Sequence, residues 1–361
     1  MMKEFPSIIL RSGPAFAACI LLLLAFALCS GCYTLTQGIT MLGYINRAVP
    51  LDSLDGDEDS RAFVERVRDI RRFATAELGL KENANYTTYV ELDRAYLAAV
   101  VSACKSDAFV RHEWWFPVVG AVPYKGFFNV KDAQKEAAKL KKKNLDVWVR
   151  QVDGFSTLGW FSDPLYSYMR EYPVHQLAEL IIHELLHATV YIKSDSQFNE
   201  ELAEFVGREG GHLYMASRFG VESPEYRVML DSETDSGAYI AFIQSLIKEV
   251  DALYQSNVEQ EEKLKQKAVI IAAAQSRVER DYETLFHTDN YRGFITLPVN
   301  NAYLELFRLY YSGGAYLAAL FERAGCDLPR FIAAAKTITG KRDPKGQLEQ
   351  ALTGASTRVT D

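Results

Sequence analysis

His183-Glu184-Leu185-Leu186-His187 lies inside the apolar run from about Val174 to Ile192, whose Leu177, Leu180, Ile181, Leu185 and Val190 recur at helical spacing. On a helix, side chains four apart share a face one turn from each other, so both imidazoles can reach a single cation at about 2.0 to 2.1 Å. Glu184 is then turned around the helix, placed to take a proton from water rather than to bind a metal. Two of the six histidines in the chain are spent here, among Leu, Ile and Val, where an unsatisfied polar group is costly to bury. The pattern is that of a Zn²⁺ hydrolase helix.

A catalytic zinc keeps three protein ligands and one open position, so a third donor must come from elsewhere in the chain. The next helix is expected to open at Phe198-Asn199-Glu200-Glu201-Leu202-Ala203-Glu204, after the polar loop from Lys193 to Gln197. Glu200 is the natural third ligand. Glu204, one turn further, and Asn199 are candidates to orient the ligands from behind. Asn-Glu with an acid four residues on resembles the thermolysin-like gluzincins, but only twelve residues separate His187 from Glu200 (200 − 187 − 1), a shorter gap than theirs. Glu201 and Glu204 therefore stay open as rival ligands.

Ser156-Thr157-Leu158-Gly159-Trp160-Phe161-Ser162-Asp163-Pro164, the His-Glu-Leu-x-His-Ala-Thr run, Phe198-Asn199-Glu200 and Val206-Gly207-Arg208-Glu209-Gly210 together are similar to a bacterial family of zinc aminopeptidase lipoproteins. Ile70 to Ala74, Tyr124 to Phe128 and Asn300-Asn301-Ala302 add to the match, which spans nearly the whole mature chain. The resemblance implies a zincin-like metallopeptidase acting on peptides. Removal of residues from an amino end needs an acid to hold the substrate ammonium; the Gly-x-Met-Glu-Asn segment of gluzincin aminopeptidases is absent, and Asp163 and Glu209 are the acids considered for it. Tyr303 and His212 are the candidates for stabilising the oxyanion, and Trp160 with Phe161 for a substrate shelf.

Around this site the chain of 361 residues has ordinary globular composition, 48% hydrophobic and 24% charged, with a net charge of −7. A nucleic-acid partner is excluded by the absence of a basic face: Lys139, Lys141, Lys142 and Lys143 read as a solvated helix surface. Lys3 and Arg11, the uncharged run from Ala15 to Leu28 and Cys29-Ser30-Gly31-Cys32 resemble a bacterial lipoprotein signal of residues 1–31. That leaves Cys32 lipidated and the protein anchored in the cell envelope, facing the periplasm; Cys29 stands where such signals usually carry Leu. An uncleaved membrane anchor is the alternative. Cys104 and Cys326 either pair or are two buried thiols.

The expected fold is α+β and predominantly α-helical, a single domain over 32–340. Helices are expected from Tyr33 to about Leu54, Arg61 to Leu78 and Asp132 to Lys143, with a small β-sheet between Tyr86 and Phe128 and a strand from Asp146 to Val152. The breaker-poor stretch from about Thr234 to Tyr282 reads as a long helical pair or projecting arm, and 341–361 as a polar tail. The rival to peptide hydrolysis is a non-catalytic lipoprotein in which zinc staples two helices.

Overall fold

A computed structural model of the chain describes residues 33, 36–54, 56–116, 120–153, 162–193, 195–308, 314–338 and 343–354. The signal segment, Cys32 and the Gly159 to Phe161 loop lie outside them. The fold is α+β and predominantly helical, as the sequence implies. Among the described residues no helix is long and apolar enough to cross a membrane.

Residues 36–47 form α1. It ends before Leu54 because Val49–Pro50 leaves it as β1, extended backbone that pairs antiparallel with β2 (Thr88–Val90). Asp57 then caps α2 (Glu58–Ala76), its carboxylate accepting from Ser60 N at 2.6 Å, and Phe63, Val67, Ile70, Phe73 and Ala74 form the buried face that the sequence periodicity marks.

The expected sheet between Tyr86 and Phe128 is divided among three. β2 pairs on its other side in parallel with β8 (Leu165–Tyr166). The main sheet has the order β6-β3-β7, from β3 (Ala98–Lys105), β6 (Tyr124–Phe127) and β7 (Leu145–Val152). β4 (Trp114–Phe116) and β5 (Gly120–Val122) make a separate two-stranded ribbon. Pro123 explains the separation of β5 from β6: it has no N–H for a ladder. α3 (Val130–Lys141) covers the main sheet with Ala133, Ala137 and Leu140, leaving Lys139, Lys141, Lys142 and Lys143 exposed.

α4 (Val174–Thr189) and α5 (Ser196–Phe219) are the central pair, packed with α2 around the largest apolar cluster. α6 (Pro224–Gln255) begins well before the expected Thr234 because Ser223 caps it and Pro224 occupies the first turn, a strong start signal. It turns at 256–259 into α7 (Gln260–Leu285). This pair is packed down rather than projecting: Lys267 is buried, donating to Ser106 O at 2.7 Å and Asp146 Oδ2 at 2.8 Å beside β7. α8 (Asn301–Arg308) closes a second core with α6 and α7.

α9 (Gly314–Arg323), α10 (Leu328–Ala335) and α11 (Pro344–Gly354) finish the described chain. α11 corrects the expectation of a polar tail for this stretch: Leu348 and Leu352, one turn apart, are both buried in the main core. Cys104 and Cys326 are both free, the first buried and the second exposed, so they form no disulfide.

Candidate metal centre

α4 presents His183 and His187 on one face, their rings edge to face with centroids 4.7 Å apart and the two Nε2 atoms separated by 3.1 Å. The chain then leaves the helix and returns through Tyr191 and Ile192. Asn199 fixes that return: its Oδ1 accepts from Ile192 N at 2.8 Å and its Nδ2 donates to Ile192 O at 2.9 Å, while Asp195 caps α5 by accepting from Phe198 N at 3.0 Å. α5 can approach α4 closely at Gly207, where a Cβ would stand 2.9 Å from Glu179 O and 3.2 Å from His183 Cβ. Cap, clamp and glycine together bring Glu200 against the histidine pair.

The Glu200 carboxylate lies 3.7 Å from His183 Nε2 through Oε2 and 3.5 Å from His187 Nε2 through Oε1. One possible ligand atom from each of the three residues lies within 4.8 Å of the others, so the group could close on a single cation, whose four ligands at about 2.0 to 2.1 Å stand roughly 3.3 Å apart. The three residues form the one group of metal-ligating type among the described residues. Glu200 keeps 62% of its side-chain exposure against 24% for His183 and 21% for His187, so the centre opens to solvent on the Glu200 side.

Charge in the site is strongly coupled. Burial lowers the His187 imidazole, but the Glu200 carboxylate outweighs it and, with Glu184 and Asp163, holds the pKa above its ordinary value. Hydrogen bonds from His183 and His187 hold the Glu200 carboxyl well below the carboxylate range. Glu184 is half-buried on α4, and its charge acts on both His187 and Tyr86.

The rival ligands go elsewhere. Glu201 is buried and turned toward Gln197 Nε2 at 2.7 Å and Lys345 of α11 at 2.8 Å. Glu204 is exposed and makes no hydrogen bond or ion pair to either histidine among the described residues, which removes the orienting role expected of it. Asn199 does act behind the ligands, through backbone rather than through an imidazole.

Neither candidate for oxyanion stabilisation faces the donors. Tyr303 is buried in the second core, hydroxyl to hydroxyl with Tyr239 and edge-on to Trp148, because α8 turns that face toward α6. His212 sits further along α5, its Nε2 2.7 Å from Glu233 Oε1 and its Nδ1 3.2 Å from the Tyr226 hydroxyl. Glu209 belongs to that group too, acting on His212 and pairing with Arg208 at 3.1 Å. Asp163, in contrast, acts electrostatically on His187, and its carbonyl accepts from Tyr86 N at 2.7 Å. Tyr86 was not singled out by sequence: nothing local marks it among 20 tyrosines, and only the pairing of β2 with β8 brings it here.

Two imidazoles one helical turn apart, a carboxylate from the facing helix and one open side form a group that could hold a metal ion. The family described as "Putative aminopeptidase" matches residues 33–351, and the chain belongs to that family. No curated protein and no solved structure matches the chain.

Proposed function

We propose that the protein is a zinc-dependent peptidase that removes residues from the amino end of peptides, held by a lipid on Cys32 at the periplasmic face of the bacterial envelope. The observation that carries the reading is the gathering of His183, His187 and Glu200, one possible ligand atom from each lying within 4.8 Å of the others, with the two imidazole nitrogens 3.1 Å apart and the carboxylate reaching both. Family membership supports peptide chemistry.

A bound Zn²⁺ supplies a Lewis acid for the scissile carbonyl and makes water available as a nucleophile near neutral pH. The protein supplies the rest. His183 and His187 would donate neutral imidazole nitrogens, and Glu200 would add one negative charge. Glu184 takes the proton of the attacking water and delivers it to the leaving amine nitrogen, the two halves of general base and general acid catalysis. Its offset around α4 suits this role, because a proton acceptor must stand beside the open position and not occupy it.

Cleavage of free against N-acetylated peptides by zinc-loaded protein tests the reading. Hydrolysis of the free peptide alone fits an aminopeptidase, and hydrolysis of both makes it an endopeptidase. A zinc-replete protein that cleaves neither, or a Glu184→Gln variant as active as the parent, removes the mechanism.

A further inference from the structure

Tyr86 is 3% exposed, yet its hydroxyl makes no hydrogen bond among the described residues. A buried phenol ordinarily finds a partner, so an oxygen without one is unusual. The backbone is unusual as well. Tyr86 has φ +58°, a left-handed conformation costly for a bulky side chain.

That conformation is held from several sides. Tyr86 N donates to Asp163 O at 2.7 Å, Asp163 N donates to Asn85 Oδ1 at 3.3 Å, and Arg71 grips the carbonyls of Asn83 and Asn85. Lys81 N donates to Thr189 Oγ1 at 2.9 Å, tying the same loop to the last turn of α4, two residues past His187. The loop from Lys81 to Tyr86 is thus a fixed wall beside the histidine helix. Burial, and then the Glu184 and Asp163 carboxylates, push the pKa of the phenol well up, so it stays a protonated donor.

We propose that Tyr86 is a catalytic residue of this centre, its hydroxyl donating a hydrogen bond to the substrate oxygen that gains charge as the peptide carbonyl is attacked. The inference rests on the peptidase reading above. In the step, the water oxygen bonds to the carbonyl carbon while the carbonyl π pair moves onto its oxygen. The water proton passes to Glu184. Collapse breaks the carbon–nitrogen bond, and the amine leaves with the proton from Glu184; Tyr86 keeps its own proton throughout. A donor fixed before reaction at the place where charge develops is worth far more than one that must reorganise.

The test compares parent and Tyr86→Phe, both zinc-loaded, on one peptide that the parent cleaves, together with the affinity of each for a phosphonate analogue of that peptide. Loss of one such donor lowers kcat by about a hundredfold to a thousandfold. The expected result is a fall of that size in kcat with KM nearly unchanged, matching loss of phosphonate affinity, and unaltered zinc content and Tm, since the hydroxyl has no structural partner to lose. A parent that cleaves peptides beside a variant within threefold of it in kcat and in phosphonate affinity overturns the role of Tyr86 alone. A parent that neither cleaves peptides nor binds the phosphonate overturns the peptidase reading and Tyr86 with it.

Discussion

Asn199 holds both backbone polar groups of Ile192, its amide accepting from Ile192 N at 2.8 Å and donating to Ile192 O at 2.9 Å. Asn199 is 2% exposed, so water does not compete for these bonds. The clamp stands between the two helices that carry the metal donors, and the residue that follows it is Glu200. On the proposed function it positions Glu200 as the third ligand. Asn199→Ala leaves two buried backbone groups unpaired, at about 1 to 3 kcal/mol each. The expected outcome is a clear drop in Tm together with zinc affinity weaker by about tenfold to a hundredfold. Chelator competition measures the second effect; unchanged affinity in a destabilised variant would reduce Asn199 to a folding role.

Glu200 and Glu201 are neighbours with opposite duties. Glu200→Ala removes a donor and is expected to lose zinc on dialysis while keeping its fold. Glu201→Ala is expected to keep zinc and to lose stability, because Lys345 and Gln197 lose their shared carboxylate. Metal analysis and thermal melts on the two variants check this, and the reverse order of zinc loss would reassign the ligand.

Gly207 sets how closely α4 and α5 approach. A methyl there meets the Glu179 carbonyl at 2.9 Å, and backbone yields poorly. Gly207→Ala is expected to cost about 1 to 3 kcal/mol by overpacking, and to weaken zinc binding by moving Glu200 away from His183. A melt and a zinc titration measure both.

Glu179 lies one turn before His183 and belongs to a group with His175 on its own helix, His212 and Arg208 on α5 and Glu233 on α6. Burial and the Glu233 carboxylate raise its pKa from 4.5 to about 7, against the pull of His212 and Arg208. The folded state therefore binds a proton that the unfolded state has released between these values. This contribution is complete below the unfolded pKa and is lost as pH rises through about 7. Glu179→Gln is expected to gain Tm relative to the parent across that window and hold the gain above it. A constant difference from pH 4.5 to 8 would show that Glu179 does not titrate there.

The legible parts of the molecule were those written in local periodicity. Phe63 to Ala74 and Leu177 to Leu185 mark their helices without help from distant residues, and the spacing of His183 and His187 needs only helical geometry. Glu200 was legible as a candidate but not separable from Glu201 and Glu204, since the choice depends on the crossing of α4 and α5 that Gly207 and Asn199 determine. Sheet partners were illegible: Tyr89 pairs with Leu165, far along the chain, and that pairing brings Tyr86 N to the Asp163 carbonyl. Tyr303 looked promising from Asn300-Asn301, yet those residues serve β7 and β3, where Asn300 Nδ2 donates to Val147 O at 3.1 Å and Asn301 Nδ2 to Lys105 O at 2.8 Å. Leu348 and Leu352 were too sparse a stripe to lift α11 out of a polar segment.

The most direct test of the account is a crystal structure of zinc-loaded protein with anomalous data at the zinc edge. One peak is expected at about 2.0 to 2.2 Å from His183 Nε2, His187 Nε2 and a Glu200 oxygen, with no fourth protein ligand. A peak elsewhere, or a fourth side chain closing the coordination sphere, would contradict it.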